Sequence, residues 1–94
     1  MHFKYLANQF YIKIMSKKIK LIWDFRGPSA EQTAKHHVIH LKDYIAIEKI
    51  SLNITDIEAV SEFSASEYMV IEESDMTKIK TALKPHRGQY YKES

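Results

Sequence analysis

Three histidines lie within five consecutive residues of the sequence, in the string His36-His37-Val38-Ile39-His40. In a helix, His36 and His40 share one face, because residues four apart lie one above the other. Two imidazoles at this spacing can bind one divalent metal ion, although a complete site needs a third ligand. His37 lies about 100° further round, at the border of an apolar stripe. An ordinary polar helix face with surface histidines is the alternative interpretation.

A second candidate site is the string D-F-R-G-P, residues 24–28, which follows a short apolar segment. Gly27 lets the backbone approach a ligand, and Arg26 presents a fork of donors suited to carboxylate or phosphate. Ser29 begins the helix that comes next, and the N–H groups at a helix N-terminus attract anions. A tight turn that needs Gly and Pro for geometry alone explains the same residues.

A third candidate is Pro85-His86-Arg87-Gly88. By itself this string is a helix stop followed by a strand. Histidine is the natural acid or base near neutral pH, and the position of this string in the fold decides whether His86 has partners for that role.

The sequence pattern around these strings predicts three strands and one long helix, which precede the remaining elements of the domain. Alternation and β-branched or aromatic residues predict strands at Ile19–Phe25, Ile57–Phe63 and Tyr68–Ile71. Ser29 and Gln32 fit a capping box, which starts a helix that runs to about Glu48. The turn between the second and third strands is expected at Ser64–Ser66.

A second helix and a last strand complete the domain. Ser74 or Asp75 is expected to cap the helix, and Pro85 to stop it. Gln89–Tyr91 then forms a short final strand. The resulting order, βαββαβ, is that of the α+β ferredoxin-like fold, a four-stranded antiparallel sheet with two helices on one face. Because the other face needs cover, we expect a homodimer that pairs as an α+β barrel or sheet to sheet.

This strand order places the last strand beside the first. Asp24, Arg26, His86, Arg87 and the start of the first helix would then gather at one rim of the sheet, as an anion pocket with a proton-transfer group. An Asp–His couple there would orient the histidine ring. The cluster of residues 36–40 would lie about 10–16 Å further along the helix axis, outside the rim.

Composition excludes several classes of protein. The 94 residues are enough for one domain, and a net charge of +2 is too small to indicate nucleic-acid binding. The absence of cysteine excludes disulfides and thiolate metal sites and suits the cytoplasm. No apolar run approaches the roughly 18 residues of a membrane span, and no nucleophile elbow or phosphate loop is present. Residues 15–94 form the expected domain, and residues 1–14 an N-terminal extension or, alternatively, an amphipathic partner-binding segment.

The strings I-W-D-F-R-G-P, T-A-K-H-H-V-I-H-L and P-H-R-G resemble a family of small bacterial proteins to which no activity is assigned. That resemblance supports the domain limits. More distantly, the step His40-Leu41 in the first helix is similar to the YCII-related dimeric α+β barrels. The resemblance implies an acid/base site with a His–Asp pair and would make His40 its histidine. The Asp-Pro step of that family is absent, with Asp75-Met76 in its place.

Three functions remain on these grounds. The leading one is a homodimeric binding or interaction module without catalysis, in which Arg26, Gly27, Ser29, Arg87 and Gly88 hold a small anionic ligand. The alternative is a small acid/base enzyme acting on an anionic or carbonyl metabolite. Its catalytic residues would be drawn from Asp24, His37, His40 and His86. The third is a divalent metal site at His36 and His40; otherwise no cofactor is expected.

Overall fold

The computed structural model describes residues 17–92, and the predicted order of elements is present. The strands are β1 (Lys18–Arg26), β2 (Ile54–Ser61), β3 (Ser64–Glu72) and β4 (Arg87–Tyr91). The helices are α1 (Ala30–Ile47) and α2 (Met76–Leu83), and one 3₁₀ turn, Glu73–Asp75, leads into α2. The predicted extension at residues 1–14 lies outside the described residues.

The four strands form one antiparallel sheet in the order β2-β3-β1-β4. Both helices pack on one face of it, which confirms the predicted ferredoxin-like fold. Alternate residues of β1 and β3 supply the buried side of this sheet, because successive side chains of a strand point to opposite faces. They pack against α1 and α2 in one core, formed by Ile19, Leu21, Trp23, Leu41, Ile45, Met69, Ile71 and Ile79.

Helix α1 approaches the sheet most closely at its start. Ala30 and Ala34 are buried there against Ala65 of β3, and small side chains on both sides allow this short distance. The predicted apolar stripe continues through Val38 and Leu41 to the end of the helix. The predicted capping box does not form, since the Ser29 side chain makes no capping hydrogen bond.

The backbone enters α1 through Gly27, whose φ of +106° is strained for any residue with a side chain. Its N–H donates to the carbonyl of Phe63 at 2.8 Å, and its own carbonyl accepts from the N–H of Ala30 at 3.1 Å. The geometry of the turn therefore explains this glycine. Helix α2 ends on Lys84 in the left-handed conformation, and the indole Nε1 of Trp23 donates to the carbonyl of Leu83 at 2.9 Å.

The β2–β3 hairpin differs from its prediction. Strand β3 begins at Ser64, so the expected turn at Ser64–Ser66 is wrong, and the chain reverses at residues 62–63 instead. A β-bulge between Ile57 and Ala59 also shifts the register of β2. The bulge interrupts the two-residue period, so Val60, rather than Ala59, lies opposite Ala65.

The face of the sheet away from the helices carries several charged side chains. Lys20 pairs with Glu58, and its ammonium lies 4.7 Å over the ring of Tyr68. The homodimer expected to cover this face stays a prediction. Neither helix within residues 17–92 is long and apolar enough to cross a membrane.

Candidate functional site

The register of β1 and β4 brings Asp24 and Arg87 together, as the strand order predicts. The carboxylate of Asp24 accepts two hydrogen bonds from the guanidinium, from Nε at 2.9 Å and from Nη2 at 3.0 Å. This bidentate pair lowers the pKa of Asp24 through the Arg87 hydrogen bond, although slight burial opposes the shift. Much of the hydrogen-bonding capacity of Arg87 is therefore used inside the protein.

His86 lies beside this pair and does not contact the Asp24 carboxylate. Its Nδ1 accepts the backbone N–H of Asp24 at 2.8 Å, and its own N–H donates to the carbonyl of Ile22 at 2.9 Å. The bond to Ile22 joins the two backbones at the end of the β1–β4 ladder, and the ring bond holds His86 beside β1. The predicted Asp–His couple does not form at this rim, because neighbouring strand residues point to opposite faces of the sheet. The Arg87 side chain lies on the same face of the sheet as Asp24, whereas His86 packs against Phe25 on the opposite face.

The other predicted ligand residues divide between the two faces of the sheet. Arg26 is exposed and, with Asp24, Ser64 and Ser66, lines a small cavity of about 130 Å³. Gly88 lies opposite Leu21, on the face that carries the helices. Gly27 and Ser29 lie in the turn that leads into α1, where backbone hydrogen bonds hold both.

A carboxylate–histidine pair does form, between Glu67 of β3 and His37 of α1. Glu67 lies opposite Trp23 in the ladder and points toward the helices, with no exposed surface. Its Oε1 shares a hydrogen bond with Nδ1 of His37. Within residues 17–92 its Oε2 has no hydrogen-bond partner. A buried carboxyl group with one unpaired oxygen is costly, and such groups are rare outside functional sites.

The ring of His37 lies between this buried carboxyl group and the protein surface. The ring centroid is 5.3 Å from that of Trp23 and 5.7 Å from that of Phe25. About 28% of the side chain remains exposed. Burial lowers the pKa of His37, and the charges of His40 and His86 lower it further, which favours the neutral imidazole.

The pair can exchange a proton with solvent or with a ligand at Nε2. An ionised Glu67 accepts from Nδ1–H and leaves a lone pair on Nε2, which is then a base. A protonated Glu67 instead donates to Nδ1, and the imidazole proton moves to Nε2, which is then an acid. No heavy atom has to move between these states, which is the arrangement that acid/base catalysis requires.

The remaining two histidines of the cluster are exposed. His36 and His40 lie on the side of α1 away from the sheet, as their spacing with respect to Val38 and Leu41 requires. In the part of the chain that the structure describes, no three His, Asp or Glu side chains come together as a metal site. Between residues 17 and 92, the histidine with a carboxylate partner is His37, three residues before the His40 that the YCII likeness implied.

Glu67 is the residue that the sequence interpretation missed. Its signal was present, because Ala65, Glu67, Met69 and Ile71 alternate in phase along one strand. The predicted strand begins at Tyr68 and leaves Glu67 outside it. The observed strand begins at Ser64 and places Glu67 in the core. The error in the strand boundary therefore hid the acidic partner of His37.

Comparisons with protein-family models, with curated proteins and with solved structures find no match to this chain. The two resemblances drawn from sequence strings stay predictions.

Proposed function

We propose that the protein is a small acid/base enzyme in which His37 exchanges a proton with substrate and Glu67 positions its ring. The observation that carries the proposal is the fully buried Glu67 carboxyl group, bonded through one oxygen to a half-buried histidine. A domain of this size has little stability to spare, so an acidic side chain in its core is better explained by a role than by packing.

The surroundings of His37 leave one ring nitrogen for proton transfer. Trp23 and Phe25 lie against the ring and keep water from part of it, and Glu67 occupies Nδ1. Nε2 is the ring nitrogen that is left for a substrate. Burial lowers the pKa of His37 and so favours the neutral imidazole, the form that a general base needs.

The substrate class follows from this chemistry. A histidine base can remove a proton from carbon next to a carbonyl group. We therefore propose a carbonyl-bearing metabolite as substrate.

Proton exchange at carbon tests this proposal. In D₂O, pyruvate, 2-oxoglutarate and dihydroxyacetone would be incubated with the protein, and loss of the C–H signal would be followed by ¹H NMR. We expect at least one probe to exchange faster than in buffer. His37→Gln should lower that rate by about 100-fold or more, because a positioned base contributes that much. Glu67→Gln should lower it less.

His36→Gln is the matched control, since His36 is exposed on the same helix and lacks a carboxylate partner among residues 17–92. It should keep the wild-type rate. Melting curves of all variants would confirm that they are folded. Absence of exchange with every probe, or an unchanged rate in His37→Gln, would contradict the proposal.

The second candidate is the homodimeric binding module with an anion at the rim. It is favoured by Arg26, which is exposed beside a cavity of about 130 Å³ and has no ion pair or hydrogen bond with the other described residues. Ser64 and Ser66 line the same cavity, and serine hydroxyls can donate to an anion, although that of Ser64 also bonds to the Ser61 hydroxyl. Arg87 contributes less, because Asp24 already binds it.

Phosphate binding at this rim would be measured by thermal shift. Phosphate should raise the melting temperature of the wild type, and Arg26→Ala should abolish that increase. Lys35→Ala removes an exposed cation of α1 that pairs with Glu31, and should leave the increase unchanged. Equal increases in all three proteins would contradict an anion site at Arg26. Sedimentation at micromolar concentration would test the homodimer separately.

A further inference from the structure

A cavity of about 420 Å³ lies between α2 and β4, on the same face of the sheet as His37. Ile19 and Leu21 of β1 form its floor. Its walls are Met76 and Lys80 of α2 on one side and Gly88 and Tyr90 of β4 on the other. We call this space, bounded by those six residues, the α2–β4 cavity. His37 and Glu67 do not line it.

The cavity exists because α2 covers the edge of the sheet incompletely. The helix has eight residues, of which Ile79 alone is buried. Gly88 is the residue of β4 that lies opposite Leu21, and it brings no side chain to the interface. A volume of this size is within the range of small-molecule sites, about 300–1,000 Å³.

The glycine at position 88 is not required by backbone conformation. Its φ is outside the left-handed region, since Gly27 is the single glycine with a positive value. A Cβ on Gly88 would lie 3.4 Å from Cδ2 of Leu21 and 3.8 Å from Cγ2 of Ile19, which is ordinary van der Waals contact. A Cβ atom would therefore fit, and its absence leaves room in the cavity.

The cavity is lined by groups of both charges, and Lys80 is the cation that is open to a ligand. Arg87 is bound by Asp24, and Glu73 accepts a long hydrogen bond of 3.4 Å from the Tyr90 hydroxyl. Lys80 also lines the cavity, and its ammonium has no ion pair or hydrogen bond with another described residue. A ligand carboxylate would supply the partner that this ammonium lacks.

We propose that the α2–β4 cavity binds a small carboxylate with an apolar body, such as an arylacetic acid. The apolar part lies on Ile19, Leu21 and Met76 in the space that Gly88 leaves, and the carboxylate pairs with Lys80. This site is separate from the proton-transfer pair, so it stands or falls independently of the proposed catalytic role of His37.

Paired probes test the chemistry. Binding of phenylacetate and of 2-phenylethanol, which has the same ring but no charge, would be measured by NMR titration of the full chain. Phenylacetate should bind about threefold more tightly, as one ion pair with an exposed lysine provides. Lys80→Gln should remove this preference. Lys78→Gln, on the same helix but paired with Glu48 outside the cavity, should retain it.

A second variant tests the location. Gly88→Val fills the space beside Gly88 and should weaken binding of both probes about tenfold or more, with the melting temperature maintained. If Gly88→Val does not fold, Gly88→Ala should weaken both about threefold. The proposal is overturned if neither probe binds to the wild type, if the filled variant binds as the wild type does, or if Lys80→Gln keeps the preference for phenylacetate.

Discussion

Replacing His37 by leucine should lower the free energy of unfolding by about 3 kcal/mol, because it leaves the buried Glu67 carboxyl group without its only hydrogen-bond partner among the described residues. Leucine fills a similar volume, so loss of packing against Trp23 and Phe25 contributes little. Denaturation by urea, followed by circular dichroism, gives the free energy directly.

The double variant His37→Leu/Glu67→Met distinguishes this cause from simple damage to the core. Methionine has nearly the length of glutamate and needs no hydrogen bond, so the double variant should recover most of the lost stability. A double-mutant cycle then gives a coupling energy of about 2 kcal/mol or more between the two positions. Independent losses that simply add would show that the pair does not exist in solution.

The pH dependence of stability gives a second measurement on the same pair. Burial lowers the pKa of His37, so the native state resists protonation more than the unfolded chain does. Its contribution to stability is fully present above the unfolded pKa of about 6.5 and is lost as the pH falls through the lower native value. The wild type should lose stability below pH 6.5 relative to His37→Gln, which keeps Glu67. Parallel profiles would contradict a lowered pKa.

Truncation of Ile79 to alanine should cost a similar amount, about 3 kcal/mol, for a different reason. Ile79 is the one fully buried residue of α2 and contacts the core formed with Ile19 and Leu41. Large-to-small changes at such positions remove apolar contact and leave a cavity. Because the whole domain is small, this loss is a large fraction of its stability.

The same variant should loosen α2 before the sheet unfolds. Amide hydrogen exchange in residues 76–83 should accelerate more than exchange in β1 and β3, because Ile79 is the main anchor of that helix. Thr77→Ala, at an exposed position of the same helix, is the control and should change stability by less than about 0.5 kcal/mol. Equal exchange in Ile79→Ala and the control would show that α2 is anchored by other contacts.

The sequence was sufficient for the architecture because its patterns are local and repeated. The alternation in β1 and the stripe from Ala30 to Ile45 in α1 each predict an element from adjacent residues alone. Once the order βαββαβ is known, few topologies are compatible with short connections, and the observed strand order is the one expected. That order also brought Asp24 next to Arg87 from 63 positions away.

The hydrogen-bond partners in the candidate site depend on strand register and strand boundaries, which no local sequence pattern contains. Asp24 bonds to Arg87 rather than to His86 because the ladder register puts Asp24 and Arg87 on one face. Glu67 meets His37 because β3 begins four residues earlier than its apolar run suggests, which turns an apparent loop residue into a core position.

The three histidines of the cluster at residues 36–40 therefore have different environments in the folded chain. Sequence alone determined that His36 and His40 share a helix face and that His37 borders the apolar stripe. Tertiary structure decided that His37 alone of the three bonds to a buried carboxyl group among the described residues, while the other two stay exposed. The physical reason is that a shift of one residue in the register of a strand moves each of its side chains from the core face to the opposite face. Only pairing with a distant strand fixes that register.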